Sequence, residues 1–352
     1  MNRVTINDIA QRAGVSKGAV SYALNGRPGV SAQTRNKILE VAHELGWAPS
    51  RTARMLSGSR TETFGLILAR DPRLLGAEPF YMMFIAGLQA ELSRRGYALL
   101  LQLAATADEE LELYSRWWSE RRVDGAVIVD IRVDDPRVPT LRNLGLPAVF
   151  VGDPSQTGGF TTVWTDDAAA MTSAVDWLIE LGHRRLGRVA GTPEFSHTQI
   201  RDCAFEQAVT AAGVTGTIVH ADYSDEAGRL ATRQLWSLPE RPTAIVYDND
   251  LMAVAGLSAL SELGVEVPAE VSLLAWDDSA LCTITHPQLT ALHHDVMALG
   301  VHVARRLFDL LAGIEAAAHP DSTPVLTKRE STNPPRCSVE VDPPVPDVDS
   351  DR

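Results

Sequence analysis

Apolar residues recur at helical spacing three times within the first 46 positions. Ile6, Ile9, Ala10 and Ala13 share one face, and Gly14 ends that run. Thr5 is a good N-cap for it, with Asp8 placing a carboxylate in the first turn. Ser16 caps a second helix with Ala19, Val20, Ala23 and Leu24 inside. The breaker cluster Asn25-Gly26-Arg27-Pro28-Gly29 follows. Ser31 caps a third helix with the stripe Ile38, Val41, Ala42 and Leu45, and Gly46 stands at its C′ position. Two helices joined across Ala13-Gly14-Val15, with a third beneath, form a helix-turn-helix pattern.

After the break at Trp47-Ala48-Pro49, residues 50–56 span about two helical turns. An isolated helix needs about 12–15 residues in water, so this one is expected to order only against something else. From Phe64 onward the period changes. Strands are predicted at Phe64–Ala69, Ala98–Leu103, Gly125–Val129, Ala148–Val151 and Thr161–Trp164, then at Leu186–Ala190, Thr217–Ala221, Ala244–Tyr247, Ser272–Trp276 and Thr290–His293. Amphipathic helices such as Phe84–Arg95, Leu111–Arg121, Ala168–Leu181 and Asp202–Ala212 lie between them. The alternation predicts an α/β body of two doubly wound parallel-sheet lobes. The expected plan is a helix-turn-helix domain over 1–48, a hinge helix and linker over 49–60, a two-lobed body over 61–330 and a disordered acidic, Pro-rich tail over 331–352.

Charge changes the picture. The 352-residue chain is −13 overall, yet residues 1–60 hold nine Lys or Arg against three acids, a head of +6 on a remainder of −19. Such asymmetry confines phosphate affinity to one end. No apolar run reaches the ~18 residues of a membrane helix, and Met1–Thr5 has no secretory character. A cytoplasmic protein, nucleoid-associated when on DNA, is expected. Cys203, Cys282 and Cys337 fit neither a zinc site nor a disulfide framework. No metal or cofactor is expected.

The residues Thr5-Ile6-Asn7-Asp8-Ile9-Ala10, Ala13-Gly14-Val15-Ser16, Val20-Ser21, Leu24-Asn25, Val30-Ser31, Pro49-Ser50, Ala53-Arg54 and Leu56 keep one register through the hinge. Downstream come Val123-Asp124-Gly125, Leu181-Gly182-His183-Arg184, Pro242-Thr243-Ala244 and Val271-Ser272-Leu273. This pattern resembles the lactose-repressor/galactose-repressor (LacI/GalR) family of bacterial regulators. The resemblance implies a periplasmic sugar-binding-protein-like body and a transcriptional repressor that binds a near-palindromic operator as a homodimer. It places Lys17, Gly18 and Tyr22 at base-reading positions of a major-groove helix. Gly18 departs from the family's usual polar reader. Thr5, Ser16, Ser21, Asn25, Ser31 and Thr34 match phosphate-contacting positions, and helix starts suit that role. Leu56 would wedge into the minor groove, with Ala53 allowing close approach and Arg54 favouring phosphates or groove walls.

For the body the resemblance implies a small effector in the cleft. Arg201 would be its bidentate ligand and Asp277 a carboxylate acceptor. Loops after strands add Phe80 and Tyr81, Asp153, and Asn249 with Asp250; Tyr223 offers a ring to stack on. Phe80 and Tyr81 are equally readable as core or dimer contacts, Asp153 as a turn residue and Asp250 as a helix cap. Phe195 and Pro154 stand where purine-type members carry polar or flat groups, which favours a sugar. A nucleobase-like effector, or none, is the alternative. A secreted sugar-binding protein would have no use for residues 1–60. An enzyme would need a catalytic constellation, and no Gly-x-Ser-x-Gly elbow, phosphate loop or His-Glu-x-x-His appears.

Overall fold

The computed structural model describes residues 4–24, 26–47 and 60–336. The chain divides into two compact units, residues 1–61 and 62–352.

The first unit is a three-helix head: α1 (Ile6–Ala13), α2 (Lys17–Leu24) and α3 (Ala32–Glu44). Each begins where the capping residues require. The Thr5 N–H donates to Asp8 at 2.7 Å, the Ala19 N–H to Ser16 Oγ at 3.1 Å and the Thr34 N–H to Ser31 Oγ at 3.2 Å. Gly14 takes the left-handed conformation (φ 70°) that lets α1 stop and α2 turn back. Ile9, Ala13, Val20, Ala23, Ile38 and Ala42 close a small core between the three helices.

The second unit carries strands β1 (Thr63–Leu68), β2 (Ala98–Leu103), β3 (Gly125–Ile128), β4 (Ala148–Val151), β5 (Thr161–Trp164), β6 (Arg185–Ala190), β7 (Thr215–His220), β8 (Ala244–Tyr247), β9 (Ser272–Trp276), β10 (Thr290–His293), β11 (Ala318–Pro320) and β12 (Val325–Thr327). They form two six-stranded sheets, β11-β5-β4-β3-β1-β2 and β12-β10-β9-β8-β6-β7. All pairings are parallel except β10 with β12. The inner strands β1, β3, β4, β5, β6, β8, β9 and β10 are largely buried on both faces, as parallel strands must be when helices cover each side, while the edge strands β2, β7, β11 and β12 are partly exposed. In each lobe the order reverses beside the first strand, so ligand-binding crevices open at the carboxyl ends of β1 and β3 and of β6 and β8.

The helix Val296–Leu311 follows β10 of the second sheet but packs into the first lobe, beside Phe64, Phe84 and Leu88. It crosses the helix Pro79–Arg94 at glycines: a Cβ on Gly87 would lie 2.0 Å from the Met297 carbonyl oxygen, and one on Gly300 2.3 Å from that of Phe84. Backbone is the obstacle, so neither helix has a side chain to move aside. Gly87→Ala is expected to cost about 1–3 kcal/mol in urea unfolding. Gly76→Ala, with nothing within 4 Å of the new methyl, should stay within about 0.5 kcal/mol of wild type. Equal effects would show that the crossing tolerates separation.

Two expectations are corrected. The three-residue edge strands β11 and β12 were not foreseen. The body also extends beyond residue 330: Ser331 and Thr332 are buried, and the Leu273 N–H donates to the Ser331 carbonyl at 2.8 Å. Ser331 Oγ accepts the Thr290 N–H at 2.8 Å and donates to the Leu273 carbonyl at 2.6 Å, so a hydroxyl closes the ladder that a polar, proline-flanked sequence disguises. Residues 337–352 lie outside the described residues.

Candidate functional site

In the head, Ser16, Lys17, Gly18 and Tyr22 are exposed on α2, while Val20 and Ala23 face the core. Tyr22 leans on Gly29, where a Cβ would come within 3.2 Å of the ring. A Cβ on Gly18 would meet only Ser16 Oγ, at 3.8 Å, so the fold itself leaves room for a side chain there. Ser31 and Thr34 share a hydroxyl–hydroxyl hydrogen bond of 2.8 Å at the start of α3, and the Thr5 hydroxyl donates to Asp8 at 2.8 Å. Ser21 is half-buried. Asn25, Ala53, Arg54 and Leu56 lie outside the described residues.

In the body a narrow cleft of about 110 Å³ opens between the lobes, room for little more than a few water molecules in this closed form. Of the expected residues, Phe80, Tyr81, Arg201, Tyr223 and Asp277 line it. Asp153, Phe195, Asn249 and Asp250 are not on its surface, and each has a local reason. Asp153 caps the 3-10 turn Pro154–Gln156 through the Ser155 N–H at 2.8 Å. Phe195 stands behind the wall, its ring 5.5 Å from His197. Asn249 caps the helix Asp250–Glu262 through the Met252 N–H at 2.8 Å. Asp250 accepts the Ser279 N–H at 3.2 Å. Since neither Phe195 nor Pro154 reaches the cleft, the preference for a sugar cannot rest on them.

Arg70, Glu78, Asp130, Asp167, His197, Asp248 and Trp276 line the cleft without having been foreseen. Arg70 makes a bidentate pair with Asp130 (2.8 and 2.8 Å), and Tyr81 donates to the same carboxylate at 2.6 Å. Burial works against ionising Asp130, yet Arg70 holds it well below the usual carboxylate range. The Arg70 guanidinium also lies 4.5 Å from the Tyr223 ring and 5.0 Å from that of Phe195. Tyr223 is therefore not an open platform: Arg70 covers it, Gly191 packs against it, and its hydroxyl bonds His197 Nε2 (2.6 Å) and Thr198 Oγ1 (3.0 Å). Burial, then Arg201, pushes His197 down to about 4, so its ring is neutral near pH 7.

Arg201 stacks on Trp276 at 3.6 Å, with Nε 3.0 Å from Asp167 and Nη1 3.4 Å from Asp248. Asp248 is gripped from behind by Arg188 and by the Gly191 N–H. Asp277 follows β9, and no protein hydrogen bond reaches its carboxyl among the described residues. Burial, and then Asp250, pushes it well above the usual range. Asp130, Tyr223 and Asp277 all hold positive φ (51°, 71° and 64°) at strand ends. A left-handed backbone is uncommon outside glycine, and here it turns three side chains toward one cleft.

Comparison with known proteins agrees with this division. A model for bacterial regulatory proteins of the lacI family matches residues 5–50, and a periplasmic binding protein-like domain matches residues 175–332. The HTH-type transcriptional regulator CelR of Thermobifida fusca is 31% identical over 318 residues, covering 88% of this chain and 93% of CelR. The HTH-type transcriptional repressor PurR of Escherichia coli O139:H28 is 31% identical over 310 residues, 87% of this chain and 89% of PurR. A solved complex of the transcriptional regulator CelR with cellobiose superposes with a TM-score of 0.71 at 30% identity, covering 94% of this chain and all of that one. Likeness on this scale, running through both head and body, means that the chain belongs to the LacI family of bacterial regulators and is a DNA-binding transcriptional regulator.

Proposed function

We propose that the protein is a homodimeric repressor that binds a near-palindromic operator and loses or gains DNA affinity when a sugar-class effector enters the interlobe cleft. One observation carries the effector half: Arg201, ordered on Trp276 by two carboxylates, lines the same cleft as Asp277, whose carboxyl accepts no hydrogen bond among the described residues. Paired donors and acceptors of this kind suit vicinal hydroxyls. The CelR–cellobiose complex supports a sugar in such a body. A flat nucleobase stacks on a free ring face, and guanidiniums cover two of the cleft's rings, Tyr223 and Trp276, leaving Phe80.

In the head, Lys17 and Tyr22 would read base edges, with Thr5, Ser16, Ser21, Asn25, Ser31 and Thr34 on phosphates. Ala53 and Arg54 would follow the minor groove and Leu56 would wedge into it. Leu56→Ala is expected to weaken specific binding sharply in a gel-shift titration while leaving sugar-induced thermal stabilisation intact. Selection of bound sites from random DNA, with and without sugars, tests the whole reading: a palindrome whose enrichment changes with one sugar supports it, and the absence of any enriched motif overturns it. Neutralising several phosphates per head should make affinity fall steeply with salt.

A further inference from the structure

Five carboxyls line the cleft against two guanidiniums, and the pairing is uneven. Asp130 is taken by Arg70, Asp248 by Arg188 from behind the cleft, and Asp167 by Arg201, which also reaches Asp248 at 3.4 Å. Glu78 and Asp277 are left over. Glu78 is 5% exposed, and its Oε1 accepts only from Asn249 Nδ2, at 3.3 Å. Its buried Oε2 has no hydrogen-bond partner among the described residues; its one cation contact is a long one, 3.7 Å to Arg70 Nη1, while Nε and Nη2 of the same guanidinium hold Asp130. Asp277 has no donor either, and buried Asp250 lies behind both. Three of the cleft's aromatic rings already lie near a guanidinium: Tyr81 and Tyr223 near Arg70, and Trp276 under Arg201. The cleft thus leaves Asp277 without an ion pair among the described residues and Glu78 with only the long Arg70 contact.

We propose that the effector carries a protonated amine seated against Glu78 and Asp277, so that its class is an amino sugar rather than a neutral or acidic one. This rests on the cleft being the effector site. An ammonium brings three donors and a full charge to a Glu78 Oε2 that accepts no hydrogen bond and an Asp277 carboxyl that accepts none among the described residues. Burial, outweighing Arg70, pushes the Glu78 carboxyl up; Asp277 and Asp250 are raised by burial as well. A cation would restore their ionised forms. An acidic sugar would add a further charge of the sign already in excess.

The test uses the full chain with matched probes: glucosamine, galactosamine and the chitosan disaccharide against glucose, galactose and cellobiose, with N-acetylglucosamine and gluconate as neutral-amide and acidic controls. Calorimetric titration, thermal melting and gel shift are read together. The aminated members are expected to bind about tenfold to a hundredfold tighter than their partners, the range for a charge-assisted hydrogen bond. Glu78→Gln should bring an aminated member down to the level of its neutral partner while the neutral partner's own binding stays within about twofold of wild type. If Glu78→Gln fails to fold, Asp277→Asn carries the same expectation. A neutral or N-acetylated sugar that binds as tightly as its amine overturns the proposal and leaves the sugar-effector reading standing. No change in melting or DNA affinity with any probe overturns both.

Discussion

Arg188→Met is expected to destabilise the body by about 3–5 kcal/mol, because it strands a charge rather than removing a contact. Arg188 lies on β6 and is fully buried. Its Nη1 and Nη2 reach Asp248 at 2.8 and 3.0 Å, and its Nε reaches Asp202 at 2.7 Å. Methionine fills much of the same volume but leaves Asp248 with only the Gly191 N–H at 2.7 Å and a distant Arg201 at 3.4 Å. Arg188 and Arg201 together hold Asp248 below the usual carboxylate range against burial, so losing Arg188 removes the larger compensation. The double variant Arg188→Met/Asp248→Asn keeps an acceptor for Gly191 and strands no fully buried charge, since Asp202, which also loses Arg188, is partly exposed and keeps His220 at 2.8 Å. It should recover a large part of the loss in urea unfolding. A single variant costing under about 1 kcal/mol would mean that water reaches Asp248. Because Asp248 also orders Arg201, the single variant should weaken effector binding as well.

How much of this was legible depended on whether the deciding partner was near in sequence. The head was legible to the residue, since Thr5, Ser16 and Ser31 cap helices through groups three positions away. β4, β5, β8, β9 and β10 begin and end where expected, because strands buried on both faces read as continuous apolar runs; the edge strand β2 does so too, its run Ala98–Leu103 broken only by Gln102. β11 and β12 are three residues long and half-exposed, too short for any period. The cleft shows the same division. Asp130 and Asp153 each stand two residues past a strand. Asp153 is spent locally because Pro154 starts a turn that needs its cap. Asp130 is held in the cleft by Arg70, 60 residues away, which no local pattern reports. Reading every strand end alike would still have found Arg70 after β1, Asp130 after β3 and Asp248 after β8. Trp276 reads as core until Arg201 is seen lying on it.

A second large effect concerns His183, which ties the first strand of the second sheet to the chain's return past residue 330. Its Nδ1 lies 2.9 Å from Thr243 Oγ1 and its Nε2 3.0 Å from the Asn333 carbonyl, so Nε2 carries the proton and donates. The residue is 1% exposed, and burial pushes its pKa down to about 4, only partly offset by the Asn333 carbonyl. An unfolded histidine titrates near 6.5. Between those values the unfolded chain binds a proton that the folded chain refuses. The contribution is therefore complete above about pH 7 and is lost as pH falls toward 4, on the order of 3 kcal/mol in all and about 2 kcal/mol by pH 5. Asp277, Glu78 and Asp250, whose folded forms favour the proton, pull the wild-type profile the other way, so the total slope does not isolate His183. A difference does. Those carboxyls, and His197, titrate alike in wild type and in His183→Gln, and cancel. The variant is expected to be clearly less stable than wild type at pH 7.5, with the gap closing by about 2 kcal/mol at pH 5 in urea titrations. A gap that stays constant across that range would show that His183 takes up its proton in the folded state as readily as in the unfolded one.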